Sequence, residues 1–368
     1  MIPYEGKNPR TVNFLKTLYF DTPQWVPCGV SLMMATWMKY REELEAVVLA
    51  HPRIFPGYAK GSINLDFPDA YVLYEPGYHT DNWGCVWHNI ERGLDSIVVK
   101  HALENWDDFS NWKAPDPLTQ ADFGGRPSLE QIKSGLAAAR ARGDLAGGGG
   151  LAHGFFYMRL FYLRGFENLM MDFANDDPRL HRLIQIIEGY NVAVIQQYLE
   201  AGAEYMSFGE DLGTQKSLPI SPAMWRKFIK PSYEAMFGPC RDRDIPVYLH
   251  SDGHILEIIP DLIDVGIRMI NPQIRANTLE GIRDVMKGRI AIALDLDRQL
   301  FPFASFSEIE DHIAGAYDAL NMKEGGLTMG AECEPDVPLE RIDWICSVLE
   351  RVCKPPLPEE LGEKSRAS

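Results

Sequence analysis

The sequence has no long uninterrupted apolar run and no stretch in which lysine and arginine are concentrated. A membrane-spanning helix needs about 20 consecutive apolar residues, so no membrane segment is predicted. The net charge of −16 makes nucleic acid and anionic membrane surfaces poor partners. The first residues are polar and do not resemble a secretion signal, so we expect a cytoplasmic protein.

Two other signatures are missing. The six cysteines are scattered and include no Cys-x-x-Cys pair, which is typical of reduced thiols in a cytosol and not of a disulfide framework. The four glycines at 147–150 are followed by LAHGFFYM, whereas a phosphate-binding loop would continue with lysine and then serine or threonine. This glycine run predicts either a flexible loop or a close approach of the backbone to a ligand.

From about residue 140 onward, short apolar runs alternate with helical patterns. The strand-like runs are AEYMSFGED, IPVYLHSDG, RMINPQ, RIAIALDLD and GGLTMGAEC. Strands that alternate with helices through short loops form right-handed βαβ units on a parallel sheet. We therefore predict a single-domain (β/α)8 TIM barrel over residues 1–355, with an N-terminal helical excursion and an aromatic lid segment within residues 1–140. Residues 356–368 are predicted to form a mobile tail.

Most of these predicted strands end in polar or ionisable side chains. The residues are Glu210 and Asp211, His250 and Asp252, Asn271 and Gln273, Asp295 and Asp297, and Cys333. In a barrel the carboxyl ends of all strands meet at one face, where active sites lie. Helix N-caps account for about half of the acidic residues. They do not account for His250 beside Asp252, or for a cysteine after the last strand.

Three segments carry a resemblance to a known family. They are GEDLGTQKSLPISPAMWRKFIKPSYEAMF at 209–237, PVYLHSDGHILEIIPDLIDVGIRMINPQ at 246–273, and TDNWGCVW at 80–87. With these, the chain resembles the uroporphyrinogen decarboxylase superfamily over nearly its whole length. That superfamily contains decarboxylases and zinc-dependent corrinoid methyltransferases.

The two branches differ in what their sites need. The decarboxylase branch carries an arginine-rich N-terminal segment that grips substrate carboxylates, but residues 23–41 read PQWVPCGVSLMMATWMKYR. A site for a poly-acid requires several arginines, so the sequence is more similar to the methyltransferase branch. A decarboxylase acting on a small carboxylated substrate is the alternative.

The resemblance to the methyltransferases implies a zinc site. The ligand positions of that branch fall on His250, Asp252 and Cys333 of this sequence. Three ligands leave one coordination position open, as catalytic zinc requires. A carboxylate in place of a thiolate makes the metal a harder Lewis acid that suits an oxygen ligand. Each residue also has a structural alternative. His250 could cap its own loop, Asp252 could form a turn with Gly253, and Cys333 could be a small core thiol.

Further residues complete the predicted site. Glu210 is expected to be a fourth ligand or the proton donor to a leaving phenolate. Trp83, Tyr157 and Phe156 are expected to bind the substrate, because an aromatic wall suits a flat apolar ring. Asp81, in the Asp-x-Trp-Gly segment that resembles the methyltransferases, is expected to contact the substrate as well. The alternative for each aromatic residue is ordinary packing beneath a lid.

The predicted function follows from this set. We expect a zinc-dependent, corrinoid-dependent methyltransferase that demethylates an aromatic methyl ether of the methoxyphenol type. The sequence has no Asp-x-His-x-x-Gly signature of a corrinoid domain. The methyl group would therefore pass to cobalamin on a separate corrinoid protein, which we expect to dock near residues 79–88. A non-enzymatic or regulatory barrel that binds a small aromatic compound or a corrinoid protein without turnover is a second alternative.

Overall fold

A computed structural model describes residues 4–362 of the chain. The strands are β1 (Cys28–Leu32), β2 (Gly77–Thr80), β3 (Val86–Asn89), β4 (Ile97–Lys100), β5 (Gly147–Gly148), β6 (Tyr205–Glu210), β7 (Val247–Ser251), β8 (Ile267–Pro272), β9 (Ala291–Asp295) and β10 (Leu327–Cys333). All five strand-like runs predicted from the sequence are strands in the structure.

The helices surround the sheet. They are α1 (Pro9–Leu18), α2 (Met34–Ala50), α3 (Leu129–Ala141), α4 (Tyr157–Arg164), α5 (Phe166–Asn175), α6 (Pro178–Glu200), α7 (Pro222–Phe228), α8 (Lys230–Arg241), α9 (Ile259–Asp264), α10 (Ile274–Asn277), α11 (Leu279–Met286), α12 (Phe306–Leu320) and α13 (Leu339–Cys353). Local sequence sets their starts: α12, for example, begins with a capping box of Ser305 and Glu308. No helix within residues 4–362 is both long and apolar enough to cross a membrane.

The main sheet is parallel and curled. Its strand order is β1-β10-β9-β8-β7-β6-β5, and each paired neighbour runs in the same direction. The prediction of an α/β fold with a barrel-like parallel sheet is thus confirmed in its coarse form. The predicted count of eight strands is not, because the sheet has seven strands among the described residues, with β1 and β5 at its edges.

Side-chain alternation divides the strands into two faces. On β10 every second residue is buried: Leu327, Met329, Ala331 and Cys333. The residues between them, Thr328, Gly330 and Glu332, line a cavity on the concave side. Because successive side chains of a strand point to opposite faces, Cys333 belongs to the face covered by helices and Glu332 to the concave face.

The N-terminal helix fills the lower part of the concave side. Leu15 and Leu18 of α1 form a buried cluster with Met269 of β8 and Ala291 of β9. Phe14, also on α1, lines the cavity above this cluster. The open space on the concave side is therefore bounded by α1 below and by the strand ends above.

The predicted aromatic lid is a small antiparallel sheet with the order β2-β3-β4. Trp87 of β3 is buried on one face. Tyr78 on β2 is exposed and stacks on His88 of β3, with ring centroids 4.3 Å apart.

Part of the predicted tail lies within the described residues. Arg10 donates a hydrogen bond of 3.1 Å to the carbonyl of Pro356, and Arg53 lies 3.3 Å from Glu360. Residues 363–368 lie outside the described part of the chain.

Candidate active site

Two neighbouring loops bring the polar strand ends together. The loops that follow β6 and β7 run side by side, with Gly213 N donating to the Asp252 carbonyl at 3.2 Å and His254 N donating to the Thr214 carbonyl at 2.8 Å. Gly253 has a φ of +82°, and a Cβ there would lie 2.1 Å from the Gly213 oxygen. Only glycine allows this crossing, which is why an Asp-Gly sequence follows His250.

His250 is held in one orientation by a chain of hydrogen bonds. Asn271 Nδ2 donates to the Ala293 carbonyl at 2.5 Å, so the amide presents Oδ1 to His250 Nδ1 at 2.6 Å. His250 Nδ1 is therefore protonated, and Nε2 is the nitrogen that faces the loops. This arrangement is typical of metal-binding histidines, whose second nitrogen is fixed by an outer hydrogen bond.

An acidic neighbour completes the surroundings of His250. Its Nε2 lies 3.1 Å from Asp252 Oδ1. Burial lowers the pKa of His250, but the hydrogen bonds to Asp252 and Asn271 outweigh burial and leave this pKa above its ordinary value. Without a metal ion Nε2 therefore also favours a proton, directed at Asp252, and a metal ion bound to Nε2 would displace that proton.

A second histidine lies opposite the first. His153, in the loop between β5 and α4, has its ring centroid 5.5 Å from that of His250. Its Nε2 lies 3.0 Å from Asp211 Oδ1. His153, Asp211 and His250 each offer one ligand atom, and these atoms all lie within 4.8 Å of one another. They form the one group of three potential metal ligands found within residues 4–362.

This group has the composition of a catalytic metal centre. Two imidazoles and one carboxylate hold zinc with a coordination position open, and the same ligand types also suit non-haem iron(II). We call His153, Asp211 and His250 the His-Asp-His group. The sequence analysis missed His153, although one signal pointed to it: a histidine in a loop directly after a glycine-rich strand of a parallel sheet.

The position of His153 depends on a missing side chain on β6. A Cβ at Gly209 would lie 2.5 Å from His153 Nδ1. We predict that Gly209→Ala displaces the imidazole and weakens metal affinity about tenfold or more, as loss of supporting contacts to metal ligands does elsewhere. Zinc titration of the metal-free variant measures this change.

The matched control is Gly135→Ala in α3, where a Cβ would meet no atom within 4 Å. It should leave zinc affinity unchanged and stabilise the helix by about 0.4–1 kcal/mol. Equal zinc affinity in Gly209→Ala and the parent would show that His153 is not a ligand.

A cavity of about 600 Å³ lies on the concave side of the sheet and reaches Asn271, the hydrogen-bond partner of His250, although no residue of the His-Asp-His group lines it. Phe14, Val30 and Tyr248 contribute apolar surface to it, and Asp295 and Glu332 contribute carboxylates. None of the described residues that line it is lysine, arginine or histidine. Asn271 lines the cavity and also binds His250, so it connects the two features.

Arg298 is the second residue that the sequence analysis missed. It follows β9 and makes ion pairs with Glu332, with Asp252 at 3.3 Å and with Glu334 at 3.5 Å. Arg298 therefore compensates part of the negative charge of these three carboxylates and holds Asp252 in place. The sequence offers little signal for this role, because all three partners lie more than 30 positions away along the chain.

Glu210 lies apart from the cavity. Its carboxylate accepts hydrogen bonds from three backbone N–H groups at the start of α4: Phe156, Tyr157 at 3.0 Å and Met158 at 3.1 Å. Burial raises its pKa to about 7, although the bonds from Met158 and Phe156 act in the opposite direction. The side chain, which is fully buried, caps a helix, and this placement differs from the predicted role as proton donor or fourth ligand.

Cys333 does not lie near His250 and Asp252, the other two predicted zinc ligands. Its side chain is fully buried on the helix-covered face, and its carbonyl accepts a hydrogen bond from Thr36 Oγ1 at 2.8 Å. Burial raises the pKa of the thiol to about 12. Of the predicted set, the structure brings His250 and Asp252 together and leaves Cys333 in the core.

The predicted substrate-binding residues are also buried. Trp83 is 1% exposed and donates to Asp122 Oδ1 at 3.0 Å. Asp81 accepts hydrogen bonds from Cys85 N at 2.7 Å and Trp87 Nε1 at 2.9 Å.

Phe156 and Tyr157 are buried at the start of α4, where Phe156 packs on Tyr233 with ring centroids 5.9 Å apart. None of the four predicted residues lines the cavity beside the His-Asp-His group. Their environment is that of core residues.

Comparisons with known proteins are consistent with this architecture. A methyltransferase from Methanosarcina mazei superimposes with a TM-score of 0.61 over 94% of this chain and 99% of that chain, at 15% identity, which shows a shared fold. Dihydropteroate synthases from Xanthomonas albilineans and Burkholderia cenocepacia both superimpose with a TM-score of 0.27, covering 39% and 41% of this chain and 52% and 55% of theirs at 16% and 14% identity. Superpositions with so low a TM-score do not show a shared fold.

The sequence comparisons identify the family. No curated protein matches the chain significantly. Residues 90–352, well over half of the chain, match the sequence profile of the family described as uroporphyrinogen decarboxylase (URO-D). The chain therefore belongs to the uroporphyrinogen decarboxylase family.

Proposed function

We propose that this protein is a corrinoid-dependent methyltransferase that demethylates an aromatic methyl ether of the methoxyphenol type. The observation that carries the proposal is the His-Asp-His group beside a cavity without basic side chains. The methyl acceptor would be cob(I)alamin carried by a separate corrinoid protein.

The cavity suits a small, uncharged, ring-shaped substrate. Its volume of about 600 Å³ lies within the usual range for small-molecule sites. Phe14 and Tyr248 provide aromatic surface in the wall of the cavity. The polar side chain of Asn271 also lines the cavity and contacts His250 of the His-Asp-His group. A ring bound on the apolar surface would direct its ether oxygen toward His250 and the loops.

The donor set fits the proposed metal. His250 presents Nε2 because Nδ1 is engaged with Asn271, and His153 and Asp211 lie on the adjacent loops. Zinc held there would supply Lewis-acid polarisation of the ether oxygen. Asp252 and Arg298 would hold the loop of His250 in place through their ion pair of 3.3 Å. Cys333 has no part in this proposal.

The same cavity is poorly suited to a substrate with several carboxylates, because its lining has no basic side chain among the described residues. Asp295 and Glu332 offer no positive charge to a substrate with several carboxylates, and the nearby Arg298 is already paired with Glu332. A decarboxylase of the same family is therefore the less favoured candidate, although the family name alone would suggest it.

Incubation of the purified protein with chemically reduced cobalamin and a methoxyphenol tests the proposal. We expect methylcobalamin and the demethylated diphenol to form in equal amounts, measured by absorbance and by chromatography. A parallel incubation with a carboxylated porphyrinogen should release no carbon dioxide. Carbon dioxide release without methylcobalamin would favour the decarboxylase and contradict the proposal.

A further inference from the structure

Ether cleavage leaves a phenolate that needs a proton. When the O–CH3 bond breaks, its electron pair stays on oxygen and the methyl carbon passes to the nucleophile, so a proton donor near the oxygen lowers the barrier. This inference rests on the proposed function. Glu210 does not meet the need, because three backbone N–H groups already engage its carboxylate away from the cavity.

Asp295 is placed where such a donor is required. It is the last residue of β9, lines the cavity, and is joined by a backbone bridge to Gln273, which directly follows β8. No hydrogen bond or ion pair of its carboxyl group occurs in the described part of the chain. Glu332, the other carboxylate in the cavity wall, is instead ion-paired with Arg298.

We propose that Asp295 is the general acid that delivers a proton to the phenolate oxygen as the methyl group leaves. The O–CH3 bond breaks and the methyl group forms a bond to cobalt using the electron pair of cob(I)alamin. The carboxyl O–H bond of Asp295 breaks and an O–H bond forms on the product. Asp295 is left as a carboxylate, and water from the cavity mouth returns its proton.

The groups that face Asp295 come from several elements. Arg298 in the following loop and His250 on β7 favour its carboxylate, whereas Glu332 on β10 and Asp252 after β7 oppose it. Tyr248 on β7 also lies close enough for its own pKa to be raised by Asp295. Burial is the largest influence and raises the pKa of Asp295 to about 7. A carboxyl group with this pKa is partly protonated at neutral pH, as a general acid must be.

The protonation state is testable without turnover. Infrared difference spectra of the metal-free protein, recorded across the pH range 5–9, should show a protonated carboxyl band that disappears at higher pH. Glu210, whose pKa is also raised to about 7, contributes a second component, so the test is the difference between the spectra of the parent and of each variant. The Asp295 component should be missing in Asp295→Asn and retained in Asp264→Asn, whose carboxylate is exposed and does not line the cavity. An unchanged band in Asp295→Asn would overturn the inference.

The catalytic role has its own measurement. Asp295→Asn should lower kcat about 100-fold, the usual contribution of a positioned acid, with little change in KM. Asp295→Glu should restore part of the loss. In the parent kcat should fall as pH rises above about 7, because the acid is then deprotonated, and Asp295→Asn should lack this decline.

A series of leaving groups separates acid catalysis from a structural effect. With a nitro-substituted methoxybenzene, whose phenolate is stable without a proton, the loss in Asp295→Asn should shrink to within about tenfold. An equal loss for all substrates would overturn the acid role. No turnover of any methyl ether by the parent would instead overturn the proposed function, so the two failures are distinguishable.

Discussion

Replacing His153 with alanine should remove the bound metal ion and lower methyl transfer about 1,000-fold or more. His153 offers one of the three ligand atoms that lie within 4.8 Å of one another, and a catalytic metal ion supplies several kcal/mol of transition-state stabilisation. His250→Ala should behave in the same way. Mass spectrometric analysis of zinc and iron in freshly purified protein measures the occupancy, and circular dichroism reports whether the fold is retained.

Three variants provide the comparison. Cys333→Ala should keep its full metal content, because this thiol lies in the core. His181→Ala, at an exposed histidine that pairs with Asp176, should match the parent in both metal and activity. Asp252→Asn should bind metal about 10–100-fold more weakly, as loss of a second-layer partner does. Full metal in His153→Ala together with loss in Cys333→Ala would restore the ligand set expected from the sequence.

The strands were predictable because each has a strong local signal. The runs that became β6 to β10 are short, apolar and bounded by polar turns, and helical patterns separate them. The closure of the sheet was not predictable in the same way. It depends on strands from the first half of the chain, where β1 is a weak pattern and β5, at 147–148, consists of two glycines.

The ligand set was only partly predictable because the two faces of a strand alternate. His250 lies near the end of its strand, as the sequence predicted, since the strand pattern and the Asp-Gly turn after it are both clear; its role as a metal ligand stays a prediction. Cys333 was expected beyond its strand, but it is the last residue of β10 and shares the face of Met329 and Ala331. A shift of one residue moves a side chain to the opposite face, and no sequence pattern fixes a strand end that closely.

The aromatic segment could not be assigned from sequence because packing and ligand binding use the same residue types. Trp83 contacts Tyr190, with ring centroids 4.8 Å apart, and Trp87 contacts Tyr162 at the same distance. These partners are 75 to 107 positions away in the chain. Such long-range pairs show that the segment belongs to the core, which no local pattern indicates.

Arg159→Leu should lower the free energy of unfolding by about 3–5 kcal/mol, the usual effect of removing one partner of a buried ion pair. The guanidinium, 1% exposed, pairs with Asp122 and lies 3.3 Å from Asp81. It also lies 5.0 Å from the ring centroid of Trp83. Without it, two carboxylates remain in the core with no compensating charge.

Urea unfolding of Arg159→Leu and of Arg283→Leu separates a buried pair from an exposed one. Arg283 pairs with Asp284 on the surface, where such ion pairs contribute between about 0 and 1 kcal/mol. Because Arg159 joins the segment 80–87 to α4, its loss should loosen the start of α4, which Glu210 caps. A loss of stability similar to that of Arg283→Leu would mean that the segment is solvated, and would return Trp83 and Asp81 to consideration as substrate-binding residues.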